Sequence, residues 1–363
     1  MHRYPSNFLP NEKTTLKVAN RGSFHKYPTS TSIDPAALRH LIINGGWRIW
    51  SKESLDEALS VLPVLPALEV LRLHYMTWDN VSVSSKTILT SSFTNVIQLE
   101  LSRFGCDTLQ ELVGILLCFP RLESLSFYGL DEPVESVRTP PELGSVPPFQ
   151  HLKSLHIADS YAADFLLWFL KIEPLPPICR LSLGAIADNY CVDGAGEPWQ
   201  DRGILAYQEK ALKDCHRHFA TQLEHVIYRT ENPYAQALDL PALRIMEGRI
   251  WAISSMLRSS TFGALSTIVL HVDHMPSLVD EKHTQPLRHF LRYSLITPPL
   301  ASVRVLHIIL QEWMLFYNNG EEDMRKAEAD IRRELGPEFE ARGGTVSLSW
   351  SSVGKSWGGG LDS

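Results

Sequence analysis

Apolar residues recur along the chain in a short phrase, Leu-x-x-Leu-x-Leu, or a close variant with Ile, Val, Phe or Met. In a strand, residues two apart point to the same face, so the last two apolar positions of each copy share a buried face. Successive copies start roughly 29 residues apart, at the long end of the range of about 20–29 residues for leucine-rich repeats. The copies begin at Leu38, Leu68, Val96, Leu122, Leu152, Ile178, Leu223, Leu243, Leu265 and Val303.

Helical patterns lie between many of these copies. Prolines such as Pro66 and Pro120 stand one or two residues before a copy, where they end a helix and favour an extended entry. A single strand–helix unit cannot bury its apolar face alone, so units stack. The sequence therefore predicts an α/β fold, a curved leucine-rich-repeat-like solenoid with short parallel strands inside and helices outside. An ordinary α/β sheet with fortuitous leucines is the alternative, and the regular spacing argues against it. Helices are predicted at 54–62, 109–119, 162–172, 205–219 and 250–257.

The repeats also define the domain organisation. Residues 1–32 are polar and predict a flexible N-terminal tail, residues 33–350 form the solenoid, and residues 351–363 predict a disordered tail. A charged helix and a final alternating strand at 321–350 predict a C-terminal cap, because the last repeat would otherwise expose its core. Loops rich in Pro, Gly, His or acidic residues interrupt the repeats at 131–149, 187–203 and 272–286.

Composition narrows the class of partner and the compartment. A net charge of −7 disfavours a general binder of nucleic acids or anionic membranes. Five cysteines, without a Cys-x-x-Cys pair, fit reduced thiols in the cytoplasm or the nucleus. The N-terminus has no apolar core of signal-peptide type, and no apolar run is long enough to span a bilayer. We therefore expect a cytoplasmic or nuclear protein that binds neither nucleic acid nor membrane.

No sequence motif assembles a nucleophile, a base and an acid, and none predicts a cofactor. The best candidate for a metal site is Cys215 with His218 and His225, preceded by Cys191, because positions 215 and 218 share one face of a predicted helix. Surface histidines on a charged helix explain the same residues more simply. The sequence thus predicts no catalytic residues and no metal ligands.

What remains is a surface for protein binding. Residues that alternate with the core leucines face outward on the concave side of the predicted solenoid, and large polar and aromatic side chains there suit protein recognition. The alternative is that the loops at 131–149 and 187–203 contact the partner. The predicted binding residues are Arg72, His74, Glu100, Tyr128, His156, His271 and His307.

Two of these repeats also resemble a known family. Residues 65–73, LPALEVLRL, and 119–125, FPRLESL, are similar to the degenerate repeats of F-box/leucine-rich repeat proteins of mushroom-forming fungi, as is the GGTV strand at 343–346. The resemblance covers about 34–350. It implies a solenoid that holds the substrate of an SCF ubiquitin ligase, while an N-terminal F-box docks onto the Skp adaptor. If an F-box is present, the resemblance therefore also implies the Skp adaptor and cullin as partners.

The chain departs from the family pattern at its N-terminus. Leu9-Pro10-Asn11-Glu12 resembles the opening of an F-box, but residues 13–31 lack the periodic apolar positions of its helices. The expected function is non-catalytic protein interaction, as the substrate-recognition part of an F-box-type SCF ligase. A standalone repeat scaffold without ligase association, or an enzyme with an unrecognised site, are the alternatives.

Overall fold

The computed structural model describes fifteen stretches of the chain and two single helical residues, 329 and 333. Most of the predicted tails and of the three predicted loops, and nearly all of the charged helix predicted at 321–335, lie outside these residues. The described stretches are 15–18, 35–45, 52–60, 62, 64–130, 148–158, 162–183, 202–228, 239–249, 253–254, 256–257, 260–272, 302–311, 339–341 and 343–351.

Strands and helices alternate through much of the chain. The strands are β1 (Thr15–Val18), β2 (His40–Asn44), β3 (Val70–Thr77), β4 (Gln98–Gly105), β5 (Ser124–Tyr128), β6 (Ser154–Ala158), β7 (Arg180–Leu183), β8 (His225–Tyr228), β9 (Asp239–Leu240), β10 (Ile245–Arg249), β11 (Thr261–Phe262), β12 (Thr267–Val272), β13 (Val305–Gln311) and β14 (Thr345–Ser351). The helices are α1 (Lys52–Ser60), α2 (Val83–Ser91), α3 (Leu109–Leu117), α4 (Ala163–Phe169) and α5 (Arg202–Phe219).

The chain divides into two compact units. Unit 1 comprises Met1–Ile178 and Ala185–Cys215, and unit 2 comprises Cys179–Gly184 and His216–Ser363. In unit 1, β1 to β6 follow one another in sequence order, and in unit 2 the order is β7, β8, β10, β12, β13 and β14. Every neighbouring pair with a described register is parallel. This arrangement confirms the predicted fold class, an α/β fold of stacked repeats.

The same backbone hydrogen bonds recur where each strand begins. The carbonyl of Arg39 accepts the amides of Glu69 and Val70, and the carbonyl of Glu69 accepts those of Ile97 and Gln98. Corresponding pairs of amides bind one carbonyl at each following strand of unit 1 and at β10, β12 and β13 of unit 2. Because each repeat repeats its entry geometry, the register of one strand sets the register of the next.

The apolar phrase forms the core, as predicted. In unit 1, the second apolar position of each copy is fully buried and lies in one register row across β2 to β6. The helices cover this face, since the Phe165 ring of α4 meets the Phe127 ring of β5 edge-on at 5.0 Å. Burying each such leucine stabilises the fold by about 1.5–3 kcal/mol. The row consists of Leu41, Leu71, Leu99, Leu125 and Leu155.

Some elements differ from the sequence prediction. Thr15–Val18, placed in the N-terminal tail by its polar surroundings, forms β1 and pairs with β2. Val83–Ser91 forms α2, which has little amphipathic character and was not predicted. The predicted copy at Leu243, which is weaker than the others, forms β10 and pairs with a strand on each side, in agreement with the prediction. Among the described residues, no helix combines the length and the apolar character needed to cross a membrane.

Candidate functional site

The side of unit 1 opposite the leucine core carries large polar side chains in register, and we call it the unit 1 polar face. One row across β3 to β6 contains Arg72, Glu100, Ser126 and His156. The next row contains His74, Ser102 and Tyr128. Residues paired in a parallel sheet point to the same side, so both rows share this face.

Glu100 is the charge centre of the unit 1 polar face. Its carboxylate lies 3.2 Å from Arg72 Nε and 3.1 Å from His74 Nε2, and its side chain is only 14% exposed. The Arg72 guanidinium carries a charge opposite to that of the carboxylate, so the two groups attract each other at short range. Burial opposes ionisation of this carboxyl, but the contact with His74 and the charge of Arg72 hold the pKa of Glu100 below its usual value.

A pair of rings stands beside this charged cluster. The Tyr128 ring lies over the His156 ring, with centroids 4.5 Å apart and planes inclined by 38°. His156 is buried, whereas Tyr128 is partly exposed. Only the small side chains of Ser102 and Ser126 separate the ring pair from Glu100 along these rows. The face therefore presents a charged cluster on β3 and β4 and an aromatic surface on the adjacent strands β5 and β6.

The backbone leaves the β region at the same position in three consecutive strands. Tyr75 follows His74 with φ 54°, Arg103 follows Ser102 with φ 47°, and Gly129 follows Tyr128 with φ 65°. Glycine adopts this left-handed conformation freely, whereas a residue with a side chain is destabilised by about 1–2 kcal/mol. We call these positions the left-handed kinks.

The first two kinks add a tyrosine and an arginine to the unit 1 polar face. The Arg103 guanidinium lies 5.7 Å from the centre of the Tyr75 ring, a cation–π contact. Arg103 is exposed and Tyr75 is partly exposed. The sequence prediction missed both residues, because it assumed that inward and outward side chains alternate strictly, with a single outward residue after each inward one. The signal that could have found them is an irregular spacing: Leu73 and the next inward residue, Met76, are three positions apart instead of two.

Unit 2 carries a separate polar cluster on the corresponding face of its own strands. Glu247 of β10 lies between two histidines, with Oε2 3.2 Å from His225 Nε2 and Oε1 2.7 Å from His271 Nε2. An ionised carboxylate only accepts hydrogen bonds, so each Nε2 donates. Burial acts to raise the pKa of Glu247, but the hydrogen bonds from His225 and His271 outweigh it and hold this pKa well below the usual range.

His307 extends the unit 2 cluster toward β14. Its Nδ1 lies 2.6 Å from Ser347 Oγ and its Nε2 lies 2.9 Å from Ser349 Oγ. Burial lowers the pKa of His307 and the charge of His271 lowers it further, against the opposing charge of Glu247. A serine beside an imidazole resembles a nucleophile with its base. However, the second nitrogen of His307 meets a hydroxyl, where a catalytic triad has a carboxylate.

The predicted binding residues thus fall into two groups. Five lie on the unit 1 polar face, whereas His271 and His307 belong to the unit 2 cluster. Most of the residues in the loops at 131–149 and 187–203, the alternative contact regions, lie outside the described residues.

The candidate metal ligands have dissimilar surroundings. The Cys215 thiol is fully buried and burial raises its pKa to about 12, while His218 is exposed. His225 is engaged with Glu247, and Cys191 lies outside the described residues. Within the part of the chain that the structure describes, no group of three or more His, Cys, Asp or Glu side chains is arranged to hold a metal ion.

No protein-family model matches the chain, and a comparison with curated proteins found no significant match.

Proposed function

We propose that the chain is a non-catalytic protein-interaction domain that holds its partner on the unit 1 polar face. The observation that carries this proposal is the ordered cluster of Arg72, Glu100 and His74 beside the ring pair of Tyr128 and His156. Tyr and Arg are enriched among the residues that dominate binding energy at protein interfaces. None of these side chains is needed to fill the leucine core on the opposite side of the sheet.

The contacts within the face support binding because they fix side chains before a partner arrives. Immobilising a long side chain on binding costs about 0.5–1.5 kcal/mol. Arg72 is held by Glu100, and Tyr128 is held by His156, so part of this cost is already met in the free protein. A preordered surface of this kind supports recognition without any chemical step.

In its narrower form, the proposal is that the chain recognises the substrate of an F-box-type SCF ubiquitin ligase in the cytoplasm or nucleus. The support is the resemblance of residues 65–73 and 119–125 to the repeats of that family. A repeat scaffold that works without a ligase is the alternative within the same class. An enzyme is the alternative from a different class, and the Ser349–His307 pair is the specific observation in its favour.

The test combines affinity capture with a double variant of the face, Arg72→Lys with Tyr128→Ala. Lysine keeps a positive charge beside Glu100 but loses the planar guanidinium, and alanine removes the exposed ring. We expect the variant to bind captured partners at least tenfold more weakly, equivalent to about 1.4 kcal/mol, with a melting temperature close to that of the parent chain.

The matched control is Arg39→Lys, because Arg39 is exposed and pairs with Glu69 at the strand entry, away from the polar face. Partners that bind the parent and the control but not the double variant support the proposal. Skp adaptor and cullin among the captured proteins favour the ligase, and their absence beside a variant-sensitive partner favours the scaffold. Partners equally retained by all three chains would show that the unit 1 polar face is not the binding surface.

A further inference from the structure

We infer that the left-handed kinks make Tyr75 and Arg103 binding residues, and that the unit 1 polar face takes an extended acidic segment of a protein partner. This inference rests on the proposed function and specifies the chemistry of the partner. In this inference, the carboxylates of the segment bind the cationic side chains of the face, and Arg103 is the principal contact.

The choice of residues at the kinks is the first support. The three kinks have the same backbone conformation, and Gly129 shows that glycine fits there. At the first two, the chain instead carries Tyr75 and Arg103, whose side chains make the left-handed conformation unfavourable. Backbone strain of this kind is concentrated at functional sites, where the strained residue takes part in the function.

The first kink is also closely supported by its neighbour. The Gly45 amide donates to the His74 carbonyl at 2.7 Å. A Cβ atom at position 45 would lie only 2.3 Å from the Tyr75 carbonyl oxygen. The glycine therefore allows the chain to pack directly against the backbone of the kink.

Charge complementarity identifies the partner. On the described part of the face, Lys17, Arg72 and Arg103 are cationic, and the one carboxylate is that of Glu100. That carboxylate is largely buried between Arg72 and His74, and cationic side chains outnumber it among the described residues of the face. The whole chain, in contrast, carries −7. A positive face on a negatively charged protein attracts an acidic segment and disfavours a basic one.

The dimensions of the face fit a short extended segment. From β1, which carries Lys17, to β5, which carries Tyr128, there are four strand intervals, or roughly 19 Å. About six residues of extended chain cover that distance. The planar guanidinium of Arg103 lies over the Tyr75 ring, and arginine typically binds carboxylates in a bidentate manner.

The experiment selects binders from a random dodecapeptide library displayed on phage, with the full-length chain as the target. We expect an enriched consensus containing several Asp or Glu residues. A synthetic peptide of that consensus is then titrated by fluorescence polarisation against the parent and three variants, Arg103→Asn, Tyr75→Asn and Arg39→Asn. Asparagine tolerates the left-handed conformation, so the first two variants remove the side chains without disturbing the kinks.

Arg103→Asn should weaken peptide binding at least tenfold and Tyr75→Asn at least threefold, both with melting temperatures equal to or above that of the parent. Arg39→Asn, the matched loss of an exposed arginine outside the face, should change the affinity less than twofold. Lower melting temperatures with unchanged affinity would overturn the inference, since they indicate a structural role.

Two further outcomes separate this inference from the proposed function. An enriched consensus without acidic residues, whose binding is still lost in the double variant of Arg72 and Tyr128, would overturn the acidic partner while leaving the face as a binding surface. Self-association of the chain that Arg103→Asn abolishes would identify the occupant as a second copy and also overturn it. If no peptide is enriched and no captured partner responds to the double variant, the proposed function and this inference both fail.

Discussion

Replacing Leu125 by alanine provides the most direct test of the repeat register. Leu125 lies on β5, is fully buried, and is in register with the equally buried Leu99 and Leu155. The substitution removes three carbon groups, each contributing about 0.8 kcal/mol of transfer free energy, or roughly 2.4 kcal/mol. The cavity left between well-packed neighbours raises the expected loss of stability to about 3–5 kcal/mol.

The matched control is Leu117→Ala, the same chemical change on α3 at a side chain that is 40% exposed. There we expect a loss of about 1 kcal/mol or less, because little apolar surface is removed from contact and no closed cavity forms. Urea unfolding followed by both circular dichroism and tryptophan fluorescence gives the free energy of unfolding. Coincident transitions from the two probes are required, since arrays of repeats can unfold in steps.

A loss below 1 kcal/mol for Leu125→Ala, or equal losses for the two variants, would refute the assignment of the leucine phrase to the core. Leu125→Asp extends the test, because it places a charge where no partner can reach it. That variant should not fold at all. A soluble, cooperatively unfolding Leu125→Asp chain would mean that the register is displaced by at least one residue.

Two predictions concern unit 2. Because the pKa of Glu247 is lowered in the folded state, its ionisation stabilises the fold fully above its unfolded pKa of 4.5, and this contribution is lost as the pH falls below about 4.5. Glu247→Gln should therefore be less stable than the parent at pH 7, and the gap in melting temperature should narrow between pH 5 and pH 3; parallel curves would contradict the role given to the contacts with His225 and His271. A fluorophosphonate probe should not label Ser349, since the Nδ1 of its neighbour His307 contacts a hydroxyl. Labelling in the parent that Ser349→Ala abolishes would instead favour an enzyme.

The strands were predictable because a single physical rule controls them in every repeat. Each copy must bury its leucines against its neighbours, so the apolar phrase reports the strand position even in a weak copy such as that at Leu243. Helix α2 could not be found in this way. Its Val83 is 81% exposed, and it is rich in Ser and Thr, which are poor helix formers. It is stabilised instead by hydrogen bonds. The Ser82 side chain caps its N-terminus, and Asp56 of α1 accepts hydrogen bonds from Ser82 and Ser85.

The site was only partly predictable, for a related reason. Alternation with the core leucines places Arg72, Glu100 and Tyr128 on the polar face, which the register bears out. It does not indicate which side chains meet. Glu100 leans toward Arg72 in the same row and also toward His74 in the next, and this diagonal contact depends on side-chain rotamers that no repeat pattern encodes. The spacing of the repeats also does not indicate that the candidate histidines are divided between the two units.

The left-handed kinks show what a closer reading of the same pattern can add. A strand in regular conformation cannot place two successive side chains outward, so a gap of three between inward residues requires one residue to leave the β region. In the third of these strands a glycine follows Tyr128, which is the usual signature of such a position. The two preceding strands have the same spacing between inward residues, so the spacing predicts the left-handed conformation there too, although neither strand has a glycine at that position. It thereby identifies Tyr75 and Arg103 as outward residues in a conformation that side chains disfavour. The inward triplets with this gap are Leu71, Leu73 and Met76; Leu99, Leu101 and Phe104; and Leu125, Phe127 and Leu130. In a repeat protein, a break in alternation that recurs in register therefore identifies outward residues that strict alternation misses.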